Sequence, residues 1–416
     1  MELLCLGGGD EIGKEGFLIK DNEVSILLEY GIKLQPEPPT CPEEVKEKIN
    51  AIFVTHAHLD HAGALPLLYK NQEAPCLMTP PTLDMCYLLI KDFLKVQDIR
   101  GYPEPFSEKE LKLFLKNAKK VDYHNKIKVG SNRIHIFDAG HIPGSYSVYI
   151  EGEKKIFFTG DINTKSTLLV NSMDKKIPEV DVLVIESTYS DKEHNDRQEE
   201  EINFINKIQE YEEGIVLLPA FAVSRAQEVL LILHKYGILD KREVYMDGMA
   251  KRVSDIILYH RKYLRNPNDL KEALRRVKFL ARNEQRDKAL KRNPIIITTS
   301  GMLQGGPIVY YLTKLKDFEN GCVLLTGYQV EDTPGDKLLK TGYFESEEER
   351  FKLKMEVEKY DFSAHADRKG LLELIKSINP KKVVCVHGEK TKEFADELQS
   401  IGYEAYSLSS SESLEL

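Results

Sequence analysis

Apolar positions recur with a period near two in some stretches and near 3.6 in others, and the changes of period mark the elements. Residues 2–6, 17–20 and 25–29 are short apolar runs between glycine-rich or polar turns, and they predict three strands. The run at 51–55, AIFVT, predicts a buried strand that stops on His56-Ala57-His58-Leu59-Asp60-His61. A short helical pattern follows from Ala62, with Leu65, Leu67 and Leu68 inward. Residues 34–42 are proline-rich and predict a loop. Residues 83–120 are helical in period, broken at Gly101-Tyr102-Pro103-Glu104-Pro105 and restarted by a capping box at Ser107 and Glu110.

Further strands are predicted at 133–138, 146–150, 155–159 and 181–186. The charged stretch 191–201 opens a second region, where strands at 215–219, 243–246, 295–299 and 322–326 alternate with helices at 224–236, 249–263 and 307–315. That alternation predicts an α/β layer with a mostly parallel sheet. Residues 327–339 predict a crossover back to the first region. A strand at 352–359, a helix at 368–378 capped by Asp367, a buried strand at 382–386, a helix at 391–399 and a Ser/Glu-rich tail complete the chain. The expected domains are therefore 1–190, a cap over 191–340, and the return of the first domain over 341–416.

Composition narrows the class. The 416 residues are 42% hydrophobic and 30% charged, as in a multi-domain soluble globular protein. No stretch approaches the roughly 18 uninterrupted apolar residues of a membrane span. The opening MELLCLGGGDEIG lacks the basic start of a signal peptide, so a cytoplasmic protein with no membrane attachment is expected. Six cysteines without paired spacing read as buried, reduced thiols. Net charge is −9, yet residues 241–292 hold sixteen Lys and Arg against seven Asp and Glu. A local basic face of that kind can hold a phosphate backbone, and solvated helix faces would give the same count.

The candidate chemistry sits at strand ends. Three of the chain's 11 histidines fall within six residues at 56–61, with Asp60 among them, and imidazole and carboxylate both suit zinc and iron. His141 lies on the glycine turn of DAGHIPGS, Asp161 follows the strand in FFTGD, Glu186 closes a strand, and His387 closes another. Ends of neighbouring strands share a sheet edge, so these groups can converge. The loops at Ser224-Arg225 and Ser300-Gly301 are rich in small residues and can offer backbone N–H groups to anions. Gly7-Gly8-Gly9-Asp10-Glu11-Ile12-Gly13 is followed by a strand, which excludes a dinucleotide fingerprint and predicts a turn that brings backbone close to the site.

These motifs, in this order, resemble those of the metallo-β-lactamase superfamily. HAHLDH, DAGHIPGS and FFTGDIN look like its second to fourth motifs. VLVIEST, DFSAHAD and VVCVHGE are similar to the three further motifs of the β-CASP group of nucleic-acid-processing hydrolases, and PAFAVSRAQEVLLIL and TTSGMLQGGP to its inserted cap. THAHLDHAGALP is closest to the branch that holds the nuclease subunit of the cleavage and polyadenylation specificity factor and its archaeal homologues. The resemblance implies an αββα metallo-β-lactamase sandwich with an inserted α/β β-CASP cap domain. Two departures stand out. The strand that usually ends Asp-Cys-Gly ends here Glu29-Tyr30-Gly31, and Asp336 stands where the cap motif usually has Arg.

Seven donors would hold two zinc ions: His56, His58 and His141 at one, Asp60, His61 and His387 at the other, with Asp161 bridging. Manganese or iron could occupy the same set. The implied reaction is RNA phosphodiester hydrolysis through a metal-bound hydroxide, endonucleolytic, in RNA processing or 3′-end formation. Asp60, His365 and Glu186 would be catalytic, with His365 as general acid and Glu186 holding its imidazolium. In this family RNA-processing members carry His at the last motif, and His387 therefore points to single-stranded RNA. The alternatives are a 5′–3′ exoribonuclease of ribonuclease J type and a non-catalytic scaffold subunit. A homodimer and membership of an RNA-processing complex are both left open.

Overall fold

The computed structural model describes residues 1–346 and 349–416, and these divide into two compact units. The first takes Met1–Ser166, Ser172–Glu193 and Ala364–Leu416; the second takes Thr167–Asn171 and His194–Ser363.

Two seven-stranded sheets build the first unit. One runs Ser413–Glu415, Glu2–Gly7, Gly16–Asp21, Val24–Leu28, Ala51–Phe53, Cys76–Met78, Ala118–Lys120. The other runs Glu404–Ser407, Lys382–Val386, Val182–Glu186, Lys155–Phe158, Tyr146–Glu151, Asn132–Asp138, Lys126–Val129. Alternate residues of each sheet point inward and form one core, in which Phe17, Ile19 and Ile26 meet Ile134, Val148, Phe158 and Val184. On its other face the second sheet packs against Leu371 and Ile375 of helix Arg368–Ile378 and against Phe394 and Leu398 of helix Thr391–Ser400. Helix Pro80–Arg100 packs beside the edge strand Ala118–Lys120 of the first sheet. This helix starts where the Thr79 side chain accepts from the Thr82 N–H ahead of two prolines, and it ends on Gly101 at φ +68°. The arrangement is the expected αββα sandwich.

The second unit holds a six-stranded sheet in which every pair is parallel: Lys278–Leu280, Val244–Asp247, Ile295–Thr298, Ile215–Pro219, Gly321–Leu325, Glu356–Lys359. Its four central strands are buried along their whole length, as two covered faces require, while the edge strands Lys278–Leu280 and Glu356–Lys359 are partly exposed. The alternating pattern after residue 214 is borne out as an α/β layer.

Five expectations are corrected. Residues 118–120 are a strand paired with Cys76–Met78, because Asn117 ends the capped helix Glu108–Asn117. The strand expected at 352–359 is two strands: Arg350–Lys352 pairs with Tyr343–Glu345, and Glu356–Lys359 pairs parallel to Gly321–Leu325. The second pairing keeps the chain in the cap's sheet, so the expected boundary at 340/341 falls inside the second unit, which runs on to Ser363. The Ser/Glu-rich tail is also structured, and Ser413–Glu415 pairs with Glu2–Gly7. Finally, the helical turn after the HAHLDH run begins at Leu59, not Ala62, so Asp60 and His61 lie within it.

Five cysteines are buried and Cys41 is half-buried; all six are free. No helix among the described residues is long and apolar enough to cross a membrane.

Candidate metal centre

The site is assembled at one end of strands Ala51–Phe53, Lys155–Phe158, Val182–Glu186 and Lys382–Val386, where each strand gives way to a tight turn. His56 and His58 precede the helical turn Leu59–Ala62, which presents Asp60 and His61. Gly140 at φ +70° lets the next residue, His141, turn inward; a Cβ there would come within 2.3 Å of the Met173 amide nitrogen. His387 itself lies at φ +51°, in the left-handed region. Its backbone is fixed there, because its N–H donates to Gly8 O at 2.9 Å and its carbonyl accepts from Ser187 N and Thr188 Oγ1.

Asp161 is the hub, 2% exposed. Its Oδ2 lies 3.5 Å from His56 Nε2, 3.4 Å from His61 Nε2, 3.6 Å from His141 Nε2 and 3.9 Å from His365 Nδ1. Its Oδ1 lies 2.7 Å from His387 Nδ1. Asp60 Oδ2 stands 3.8 Å from both His61 Nε2 and His387 Nε2. His58 Nδ1 faces His56 Nε2 at 3.0 Å and His141 Nε2 at 3.3 Å. The ligand-capable atoms of His56, His58, His141 and Asp161 fall within 4.8 Å of one another, as do those of Asp60, His61 and His387. All seven candidate donors are thus brought together, in the two groups expected.

The arrangement fits a divalent cation. Nε2 of His61, Nδ1 of His387 and Oδ1 of Asp161 are buried without a well-aligned hydrogen bond, although the last two lie 2.7 Å apart. Buried polar atoms are otherwise nearly always paired, and these three are gathered around Asp161, where a divalent cation would satisfy them. No Lys or Arg is paired with Asp161 among the described residues. Outer contacts orient the rings: Thr55 Oγ1 lies 3.0 Å from His56 Nδ1, and Ala364 O accepts from His141 Nδ1 at 2.9 Å.

The charge states divide the same way. Burial holds His56 and His141 well below the ordinary histidine pKa and His58 at about 4, so all three present neutral nitrogens. Burial also opposes charge on His61, but Asp161 and Asp60 outweigh it and lift its pKa to about 9. His387 is raised well above its usual value, where burial is overcome by Asp161 and Glu15. A cation at Asp60, His61 and His387 would displace those protons, so its affinity falls as pH falls.

Beside the donors, His365 Nδ1 and Glu186 Oε2 are 2.9 Å apart. Glu186 is fully buried and held, accepting from Ile162 N at 2.7 Å and Thr188 Oγ1 at 2.5 Å. The His365 side chain is 18% exposed. Burial disfavours its imidazolium, but Glu186 and Asp161 prevail and its pKa is raised. It can therefore hold a proton near the donors.

The two departures from the family pattern have local explanations. Glu29, at φ +61°, is buried; its Oε1 accepts from Thr55 N at 2.9 Å and its Oε2 lies 3.9 Å from His61 Nδ1. Asp336 accepts from Asp332 N and pairs with Lys340 at 2.9 Å, closing the start of helix Pro334–Thr341. Glu15, buried beside Asp60, was not singled out from the sequence; it stands between Lys14 and Gly16 with no local pattern to mark it.

Ser224, Arg225, Ser300 and Gly301 lie in the second unit, past the carboxyl ends of the adjacent strands Ile215–Pro219 and Ile295–Thr298. A Cβ on Gly301 would meet Phe221 N at 3.0 Å, so the two loops abut. Ser224 is buried at φ +67°. Gln329 Nε2 donates to Gly301 O at 3.1 Å and fixes that loop.

Comparison with known proteins agrees with this geometry. Residues 226–338 match the Beta-Casp domain family, residues 350–408 the Zn-dependent metallo-hydrolase RNA specificity domain, and residues 1–194 the anti-Pycsar protein Apyc1 family. The chain is 36% identical to "Probable RNase MJ4" of Methanocaldococcus jannaschii over 94% of each protein. It is 36% identical to "RNase aCSPSF2" of Saccharolobus solfataricus, over 97% of this chain and 82% of that one. A solved protein from Enterococcus faecalis V583 shares the fold at a TM-score of 0.62 and 15% identity, over 100% of this chain and 99% of that one.

Proposed function

The chain belongs to the β-CASP ribonuclease branch of the metallo-β-lactamase superfamily, and from that premise we propose that it is a two-zinc endoribonuclease acting on single-stranded RNA in RNA processing or 3′-end formation. The observation that carries this reading is the ring of imidazoles around one buried carboxylate, Asp161, that has no Lys or Arg partner among the described residues. His56, His58 and His141 would hold one ion and Asp60, His61 and His387 the other, with Asp161 within reach of both sets. Bound there, the pair of ions supplies Lewis acidity: it lowers the pKa of water and neutralises charge on a phosphoryl group. Zinc is preferred for the imidazole-rich set, and manganese or iron suits the same atoms.

The chain's own residues do the rest. Glu186 fixes His365 by its Nδ1, and the Nε2 side of the same ring would give a proton to the departing RNA oxygen. The raised His365 pKa keeps that proton available near neutrality. Burial of Glu186 among backbone and hydroxyl donors excludes water from the pair. Ser224, Arg225, Ser300 and Gly301 offer a cation, hydroxyls and backbone N–H groups that would hold RNA phosphates. The basic stretch 241–292 adds non-specific attraction for the same polyanion.

The test is cleavage mapping on defined single-stranded and structured RNAs labelled at the 3′ end, with metal content measured in the same preparation. Internal cuts that persist when the 5′ end is blocked are expected. Products that appear only from a free 5′ end would make the protein an exonuclease of ribonuclease J type. No cleavage by protein carrying two metals per chain would make it a scaffold.

A further inference from the structure

Glu15 is the buried acid that none of the roles above uses. It is 1% exposed. Its N–H donates to Asp60 O at 2.8 Å, and its carbonyl accepts from Gly31 N at 2.8 Å, so it is stitched to the turn that presents Asp60 and His61. Its carboxyl lies against Gly8, where a Cβ would come within 2.2 Å of Cδ and Oε1. Only a residue without a side chain leaves that space. Gly8 O in turn accepts the backbone N–H of His387. Oε1 of Glu15 has no hydrogen-bond partner. No Lys or Arg pairs with it among the described residues; burial pushes its carboxyl well above the usual carboxylate range, and His387 and His61 are the groups that pull it back.

A carboxylate this far from water persists only beside positive charge. The groups facing Glu15 are themselves candidate donors, so the cation they gather is the charge that balances it. We propose that Glu15 is a positioning residue of the metal centre: its buried carboxylate, acting through His387 and His61, tightens the cation position formed by Asp60, His61 and His387 and leaves the position formed by His56, His58 and His141 unaffected. The two positions then differ in surroundings, because only the second has Glu15 stitched to its turn and, through Gly8, to the backbone of His387.

The inference rests on the two-ion reading, and one experiment separates the two. Parent, Glu15→Gln and Glu15→Asp proteins are loaded with Zn2+ and dialysed against graded chelator, and zinc per chain is counted by elemental analysis. The parent should lose zinc in two steps. In Glu15→Gln one step should move to about 10- to 100-fold weaker affinity, the scale of losing a supporting carboxylate, while the other stays in place. Glu15→Asp, which keeps the charge on a shorter stem, should fall between them, and it decides the matter alone if the Gln protein does not fold. Thermal melts of the metal-free proteins supply the control, since Gln should leave that state at least as stable as the parent. Unchanged steps, or both steps shifted together, would overturn the role given to Glu15. A parent that holds fewer than two zinc ions would instead overturn the two-ion reading.

Discussion

Two buried aspartates at strand ends meet opposite fates. Asp247, 1% exposed, closes Val244–Asp247 in the second unit. It accepts from Arg286 Nε at 2.7 Å and Nη2 at 3.0 Å, from Tyr311 OH at 2.6 Å and from Gly248 N at 2.8 Å. The protein supplies its own cation there, in a bidentate fork, and every lone pair is used. Asp161 in the first unit is just as buried, but only imidazoles surround it, and its Oδ1, 2.7 Å from His387 Nδ1, makes no well-aligned hydrogen bond. One aspartate is complete as folded; the other is built to be completed from outside. Burial of a charge marks structure in one place and chemistry in another, and the partner's identity tells them apart.

The sharpest way to break this contrast is to neutralise each acid. Asp161→Asn should abolish RNA cleavage, by more than about 10³-fold, and reduce bound metal. Its metal-free form should melt lower than the parent's near neutral pH, because the imidazoliums of His61 and His387 lose the carboxylate that compensates them. If Asp161→Asn kept two metals per chain and cut RNA at the parent rate, Asp161 would be no more functional than Asp247.

His365→Ala comes next and divides the Asp161 cluster from within. Cleavage should drop by about 10²- to 10⁴-fold, the range of a lost general acid, while metal content stays at the parent value. Loss of metal with the activity would place His365 among the donors and not beside them.

Arg286→Met tests the opposite member of the comparison. It leaves Asp247 buried without its cation and should destabilise the protein by about 3–5 kcal/mol in chemical denaturation. Adding Asp247→Asn to it should recover part of that loss, since the cost lies in the unpaired charge. Metal content should not move in either protein.

How much of this was legible in the chain depends on whether the contacts are local. His56, His58, Asp60 and His61 occupy one stretch at a strand end, so the chemistry is written consecutively, and only the start of the helical turn at Leu59 was misplaced. His141, Asp161, Glu186 and His387 each follow or close a strand of one sheet, and the shared edge brings them together once the strands are placed; His365 follows a strand of the cap's sheet and is placed by the turn ahead of helix Arg368–Ile378. Glu15 was invisible because its burial is made by Gly8, Gly31 and Asp60, none of which its immediate neighbours reveal. Glu356–Lys359 has a strand's alternation, but its sequence does not say which sheet edge it joins, and it joined the cap's. Helix Pro267–Arg276 and strand Lys278–Leu280 were hidden in the basic stretch, where charge on the solvent side masks the thin apolar stripe of Leu270, Ala273 and Leu280.

The smallest effect lies at a pair that is neither closed like Asp247 nor open like Asp161. Asp361, its side chain 26% exposed, accepts from His194 Nδ1 at 2.9 Å and from Ser363 N at 2.9 Å, joining the two ends of the second unit's main segment. Burial alone would raise its pKa, but the His194 contact, the Ser363 amide and the Arg225 charge bring it down to about 2. A carboxylate depressed in the folded state stabilises fully above its unfolded value, near 3.9, and that contribution drains away as pH falls toward 2. Asp361→Asn should therefore cost about 1–2 kcal/mol at pH 5, with the gap to the parent narrowing steadily below pH 4. The gap should be the same with and without metal, because this carboxylate's partners are all protein groups. A gap that widened on acidification, or that tracked metal content, would mean that Asp361 belongs with Asp161 and that the line drawn between self-sufficient and metal-dependent acids is in the wrong place.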